Sequence, residues 1–275
     1  MASEGLQGHR ARKRFGQNFL HDRHWIERIA KAVNATEGDD IVEIGPGQAA
    51  LTRELIAGAG KVRAVEIDRD LAAWLKETFP ESLSLIEADA LTLDWTQVAK
   101  NDNLRVVGNL PYNISSPLLF KLLEAADHVK DQHFMLQKEV VDRMVAQHGS
   151  KTYGRLSVML QWRYRMQKLF DVPPGAFNPP PKVMSSVVRM IPKAKEEVPS
   201  VDFELFSSVV ANAFSQRRKT IRNALSALLS AEEIAACDVA PGARAEELPL
   251  DAFVRLAQKA EALGRKAVTP GTTVD

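Results

Sequence analysis

Apolar and polar positions along this chain follow two rhythms, one helical and one strand-like. After Asp22, a candidate helix cap, Trp25, Ile26, Ile29, Ala30 and Val33 recur at helical spacing. Short β-prone runs occupy residues 40–44, 61–68 and 84–91, and a fourth begins at Val106. A helix from Ser116 or Pro117 would bury Leu118, Leu119, Leu122 and Leu123. Residues 133–138 read as a fifth strand, 139–146 as a helix and 149–154 as a loop. Residues 156–164 and 185–191 read as the last two strands. Alternating strands and helices predict a doubly wound, mostly parallel α/β sheet, a Rossmann-like fold. Beyond a proline-bounded polar linker at 192–199 only helical spacing remains. Phe203, Phe206, Val210 and Ala213 carry it first, then Leu225, Leu228 and Leu229. The expected organisation is an α/β domain at 1–192 and a small all-helical domain at 200–268, with disorder from Thr269.

The strand ends carry the candidate chemistry, because ligands of open α/β sheets bind outside the carboxyl ends of strands. The first run closes in Glu43-Ile44-Gly45-Pro46-Gly47 and leads into a helix through Leu55 and Ile56. Such a glycine turn lets a ligand approach the backbone closely. The second run ends in Glu66, placed to take the two hydroxyls of a ribose. The third ends near Asp89, which can accept the N6 hydrogens of an adenine or simply close a turn. The third glycine of the dinucleotide fingerprint is replaced by Ala50, and Glu43 is a poor neighbour for a pyrophosphate. An adenosine ligand without phosphates, S-adenosylmethionine, is therefore favoured over a nicotinamide dinucleotide. The fourth run breaks into Asn109-Leu110-Pro111-Tyr112. Pro111 holds Leu110 extended and fixes the turn, so an amide, carbonyls and a ring are offered together to a flat, amine-bearing heterocycle.

Charge changes the picture by its distribution. The net charge is +1, but residues 1–36 carry +4, 37–102 carry −8, 103–200 carry +6 and 201–275 carry −1. An acidic ligand region between basic blocks suits a protein that meets a polyanion. Arg12, Lys13 and Arg14 lie in a basic arm that could contact phosphates or be a solvated tail. Arg217, Arg218 and Arg222 form the most charged segment of the helical part, with Arg218 and Arg222 expected on one helix face. Five prolines in 172–183 make a rigid loop carrying Phe177, which could face Tyr112 across a slot or pack the loop down. One cysteine, Cys237, excludes an intramolecular disulfide and a Cys-rich metal site. With no apolar run of membrane length and no signal-type start, the expectation is a cytoplasmic, membrane-independent protein. Walker, His-Glu-x-x-His, Gly-x-Ser-x-Gly and Cys-x-x-Cys patterns are absent, and no metal is expected.

Four motifs occur in order: Phe-Gly-Gln-Asn-Phe-Leu at 15–20, Val-Glu-Ile-Gly-Pro-Gly at 42–47, Asn-Leu-Pro-Tyr-Asn-Ile-Ser at 109–115 and Phe-Asn-Pro-Pro-Pro-Lys-Val at 177–183. Together they resemble the ribosomal RNA adenine N6-dimethyltransferase family, most closely its bacterial small-subunit branch. The resemblance implies a class I methyltransferase domain with a C-terminal helical domain contacting RNA or the ribosome, acting as a monomer. It implies methyl transfer from S-adenosylmethionine to N6 of two adjacent adenosines near the 3′ end of small-subunit ribosomal RNA. It further implies that Asn18 and Leu20 line the cofactor site with Gly45, Glu66 and Asp89, and that Asn109 borders both cofactor and target. Asn109 and the Leu110 carbonyl would accept the N6 hydrogens, with Tyr112 and Phe177 sandwiching the base. Large-subunit dimethyltransferases of the antibiotic-resistance type share the glycine turn and Asn-x-Pro-Tyr. The longer Asn-Ile-Ser motif and the proline-rich loop favour the small-subunit branch. A non-catalytic assembly or transcription factor on this fold, and a nicotinamide oxidoreductase, are the readings from other classes.

Overall fold

The computed structural model describes residues 6, 11–12, 15–99, 101–216 and 218–270. Its first element is a two-residue strand, β1 (Phe19–Leu20). The Asp22 side chain accepts from the His24 N–H and opens α1 (Arg23–Val33), burying Ile26, Ile29 and Val33 at the predicted spacing. Then follow β2 (Ile41–Ile44), α2 (Ala50–Ala59), β3 (Val62–Glu66), α3 (Arg69–Thr78) and β4 (Leu83–Glu87). Next come α4 (Trp95–Val98), β5 (Leu104–Asn109), α5 (Ser115–Leu122), β6 (Val129–Gln137) and α6 (Lys138–Met144). The sheet is completed after α7 (Arg155–Arg163) by β7 (Tyr164–Val172), the short β8 (Phe177–Asn178) and β9 (Ser185–Pro192). The remaining chain is helical: α8 (Phe203–Ala213), α9 (Ile221–Ala224), α10 (Ala231–Ala235) and α11 (Leu250–Ala262).

Seven strands make one sheet in the order β4-β3-β2-β5-β6-β9-β7. Strands β4 through β6 are parallel, and β9 runs antiparallel to β6. Strands β2 and β5 are buried almost throughout, as expected for a parallel sheet covered on both faces. The chain winds outward from β2 to β4 and returns to β5, so the topology switches between β2 and β5. That switch opens a crevice at the end of Ile44 and the end of Asn109. A separate two-stranded ladder pairs β1 with β8, setting Leu20 opposite Phe177.

Two compact units result. The first contains residues 1–141 and 165–192, the second 142–164 and 193–275. In the first, Leu20, Ile26, Ile29 and Val33 pack with Leu55, Val107, Met135, Phe177 and Val187 in one apolar core. In the second, α8 and α11 pack together, with Phe214 stacked on Phe253 at 5.5 Å between ring centres. Among the described residues no helix is long and apolar enough to cross a membrane.

One element departs from the sequence expectation. Residues 156–164 were expected as a strand but form α7, with a strand starting only at Tyr164. Leu156, Ser157, Val158, Met159 and Leu160 are all buried, so no polar face marks the helical period. The Gly154 N–H donates to Ser157 Oγ at 3.1 Å and fixes the start of the helix. Residues 142–164 accordingly group with the helical unit.

Candidate active site

A cavity of about 310 Å3 lies in the first unit, lined by the ends of β2, β3 and β5, the turn after β4 and the segment 15–20. Its floor begins with the glycine turn after β2. Gly45 has φ +67°, its N–H donates to the Val65 carbonyl at 2.9 Å, and a Cβ there would point into open space. The chain uses this bare backbone to leave room for a ligand. Ala49, fully buried, takes φ +60° at the start of α2. An alanine thus holds a left-handed backbone, at a strain cost of about 1 kcal/mol.

Two buried carboxylates stand behind the turn. Glu66 accepts the Asp68 N–H at 2.9 Å and the Gly47 N–H at 3.3 Å, tying the end of β3 to the glycine turn. Burial raises its pKa, and these backbone donors oppose the rise. Glu43 accepts the Thr52 hydroxyl at 2.6 Å. Its enclosure raises its pKa to about 7; the Thr52 bond works against this and the Glu66 charge adds to it. Asp89 lines the cavity while its Oδ1 accepts the Leu91 N–H at 2.9 Å, as a turn-closing aspartate does.

The opposite wall is the Asn109–Tyr112 segment. Asn109 Nδ2 donates to the Asn18 carbonyl at 3.0 Å, so the segment 15–20 closes directly over the end of β5. With the amide nitrogen committed, Oδ1 is the group left to accept from a ligand. Leu110 is buried and its N–H donates to the Met135 carbonyl at 3.1 Å, which holds the backbone that follows. The Tyr112 hydroxyl shares a hydrogen bond of 3.0 Å with Ser185 Oγ, and burial raises its pKa.

The structure thus brings Asn18, Leu20, Gly45, Glu66, Asp89, Asn109, Leu110 and Tyr112 around one cavity. Phe177 is not brought there. It is 3% exposed, packed in the core beside Leu20, and does not line the cavity. Pairing of β1 with β8 turns its ring inward, so the expected sandwich partner of Tyr112 is a core residue in this conformation. Arg12 is also redirected. Its guanidinium donates to Asp68 at 2.9 Å and to Asp70, so it is neutralised within the protein instead of being offered to a phosphate. Arg218 and Arg222 are exposed, but Arg218 lies in a turn and α9 begins only at Ile221, so they share no helix face. Lys13, Arg14 and Arg217 lie outside the described residues.

Two site residues escaped the sequence reading. Ser185 heads a buried strand, where a hydroxyl needs a partner, and that is the signal that would have found it. His133 lines the cavity from β6 and is 2% exposed, with its Nδ1 3.8 Å from Asp131 Oδ1. Burial lowers its pKa to about 4, so it is neutral. A lone histidine within an apolar strand carries no sequence signature. Among the described residues no group of three or more His, Cys, Asp or Glu side chains could hold a metal ion.

The open glycine turn and the buried acids fit an adenosine bearing a cationic or zwitterionic tail, and S-adenosylmethionine is such a ligand. Comparison with known proteins agrees with this donor set. Residues 8–261 match the family described as ribosomal RNA adenine dimethylase. The chain is 56% identical over 252 residues to a ribosomal RNA small subunit methyltransferase A of Bordetella petrii, covering 91% of this chain and 95% of that one. Its fold is similar to a dimethyladenosine transferase from Plasmodium falciparum, with TM-score 0.79, 25% identity, and coverage of 91% and 100%. It is also similar to the 23S rRNA methyltransferase ErmE, with TM-score 0.67, 26% identity, and coverage of 89% and 100%.

Proposed function

The chain belongs to the ribosomal RNA adenine dimethylase family, and from that premise we propose how its cavity works. The protein is an S-adenosylmethionine-dependent enzyme that dimethylates adenosine N6 in small-subunit ribosomal RNA. S-adenosylmethionine, when bound, supplies an electrophilic methyl group on a sulfonium. Glu66 takes its ribose and Asp89 its adenine, Gly45 leaves room beside them, and Asn18 and Leu20 close the site from the N-terminal side. Glu43 offers negative charge to the cationic end of the ligand.

The target adenine is a poor nucleophile at N6, because its lone pair is delocalised into the ring. In the first transfer the Asn109 Oδ1 and the Leu110 carbonyl accept the two N6 hydrogens and turn the lone pair out of that conjugation, and the S–CH3 bond breaks to leave a neutral thioether. In the second, one of the two acceptors holds the single hydrogen that remains. The observation that carries this reading is the Asn109 Nδ2 bond to Asn18 O, which leaves the acceptor end of the amide for the substrate. The Tyr112 ring stacks on the flipped base, a contact worth about 1–3 kcal/mol. Phe177 would reach the other face only by leaving the core. Holding the two reactants in line supplies much of the remaining rate, up to about 7–11 kcal/mol. The proton left on the methylated nitrogen is acidic enough to pass to water, and no strong base is required.

Arg218 and Arg222, on the exposed side of the helical unit, contact RNA phosphates, with Lys13, Arg14 and Arg217 contributing from outside the described residues. The enzyme works as a monomer in the cytoplasm. Methylation of isolated small and large ribosomal particles with labelled S-adenosylmethionine tests the target. Label confined to adenosines of the small-subunit RNA is expected; label in the large particle would overturn the assignment.

A further inference from the structure

Tyr112 sits on a turn between β5 and α5, outside any regular element, yet the stacking role asks its ring to hold one orientation. Pro111 restrains the backbone before it but leaves both side-chain torsions of the tyrosine open. The only hydrogen bond recorded for the Tyr112 side chain among the described residues is the 3.0 Å bond to Ser185 Oγ. Ser185 is 1% exposed and opens β9, paired with Gln137 at the end of β6. It is therefore fixed by the sheet and lies 73 positions away in the chain from the ring it meets.

We propose that Ser185 is a positioning residue for methyl transfer, holding the Tyr112 ring in the place where it meets the entering adenine. The bond tethers the far end of the ring and so fixes the first torsion. Rotation about Cβ–Cγ leaves the oxygen in place, and there the preference of a phenol hydroxyl to bond in the plane of its ring biases the second. Pre-ordering of this kind removes an entropy cost that would otherwise fall on base binding. A hydroxyl at the head of a buried strand has a use there that packing alone does not supply, since an alanine would fill the same place without a polar atom to satisfy. The two groups aimed at the target are then each held from another part of the chain. Asn109 is held by the Asn18 carbonyl and Tyr112 by β9.

This inference rests on the reading of Tyr112 as the stacking residue. Single-turnover methyl transfer to isolated small ribosomal particles, measured beside cofactor affinity, tests it with Ser185→Ala, Ser185→Thr, Tyr112→Phe, Tyr112→Ala and the double variant Ser185→Ala/Tyr112→Phe. Ser185→Ala and Tyr112→Phe should each slow transfer about three- to tenfold, as loss of one hydrogen bond does. The double variant should be no slower than either single one, and Ser185→Thr, which keeps the hydroxyl, should recover the loss. Cofactor affinity should stay at the parent value. Parent-like transfer by Ser185→Ala, or losses that multiply in the double variant, would overturn the proposal. If Ser185→Ala fails to bind cofactor, Tyr112→Phe decides: a three- to tenfold loss supports the tether and a parent rate overturns it. Normal transfer by Tyr112→Ala would instead sink the stacking role itself, and the tether with it.

Discussion

Glu43 is the residue whose environment has the clearest consequence. Burial disfavours its charged form, the Thr52 hydroxyl offsets part of that, and the nearby Glu66 adds repulsion, giving a pKa of about 7 against 4.5 for an ordinary glutamate. The folded protein therefore binds this proton more tightly than the unfolded chain. Its contribution to stability is complete below pH 4.5 and is lost as pH rises through 7. His133 has the opposite sign. With a pKa of about 4 against 6.5, its contribution is present above 6.5 and is lost as pH falls through 4. Glu43→Gln should consequently gain in melting temperature relative to the parent on going from pH 5 to pH 8. The same variant should flatten a rise in cofactor affinity over that range, because the cationic ligand favours the ionised acid. Equal pH dependence of the melting curves in both proteins would show that Glu43 titrates as an exposed acid.

Among elements, β5 does most to organise the α/β unit. At its start, Arg105 is buried and donates to Asp131 on β6 at 2.9 and 3.0 Å, and to Asp39 at 2.7 Å. It also caps the carbonyls of Val33 and Asn34 at the end of α1, at 2.6 and 3.3 Å. Burial alone would raise the Asp39 pKa, but the Thr36 donors and Arg105 bring it down to about 2. One side chain thus locks α1, β5 and β6 at the end of the sheet opposite the cavity. Arg105→Met leaves buried Asp131 without its arginine and Asp39 with only the longer contact to Lys130 at 3.4 Å, and should cost about 3–5 kcal/mol in denaturant unfolding. A loss below 1 kcal/mol would mean that the network contributes little. The strand's other end carries Asn109, so the loosening should also reach the site as slower transfer.

For the whole molecule, the residues that line the cavity were legible because a binding site asks for unusual types in fixed places. A glycine turn, an acid at a strand end and Asn-Leu-Pro-Tyr each conflict with the strand pattern around them, and the cavity gathers all of them. What stayed hidden is of two kinds. Residues 156–164 lost their period because α7 is buried around most of its circumference, so a helix read as a strand. The inward turn of Phe177, the capture of Arg12 by Asp68 and Asp70, and the Asn18 carbonyl over Asn109 depend on tertiary pairing and on backbone atoms, which leave no mark in residue type. In the proposed mechanism Asn109 aims the adenine nitrogen at the methyl donor, beyond merely helping to bind. The direct measurement is single-turnover methyl transfer by Asn109→Ala to small ribosomal particles at saturating cofactor, with cofactor affinity measured on the same preparation. Transfer slower on the order of 10²-fold, with cofactor still bound, is the predicted result. Transfer at the parent rate, or a loss fully accounted for by absent cofactor, would contradict it.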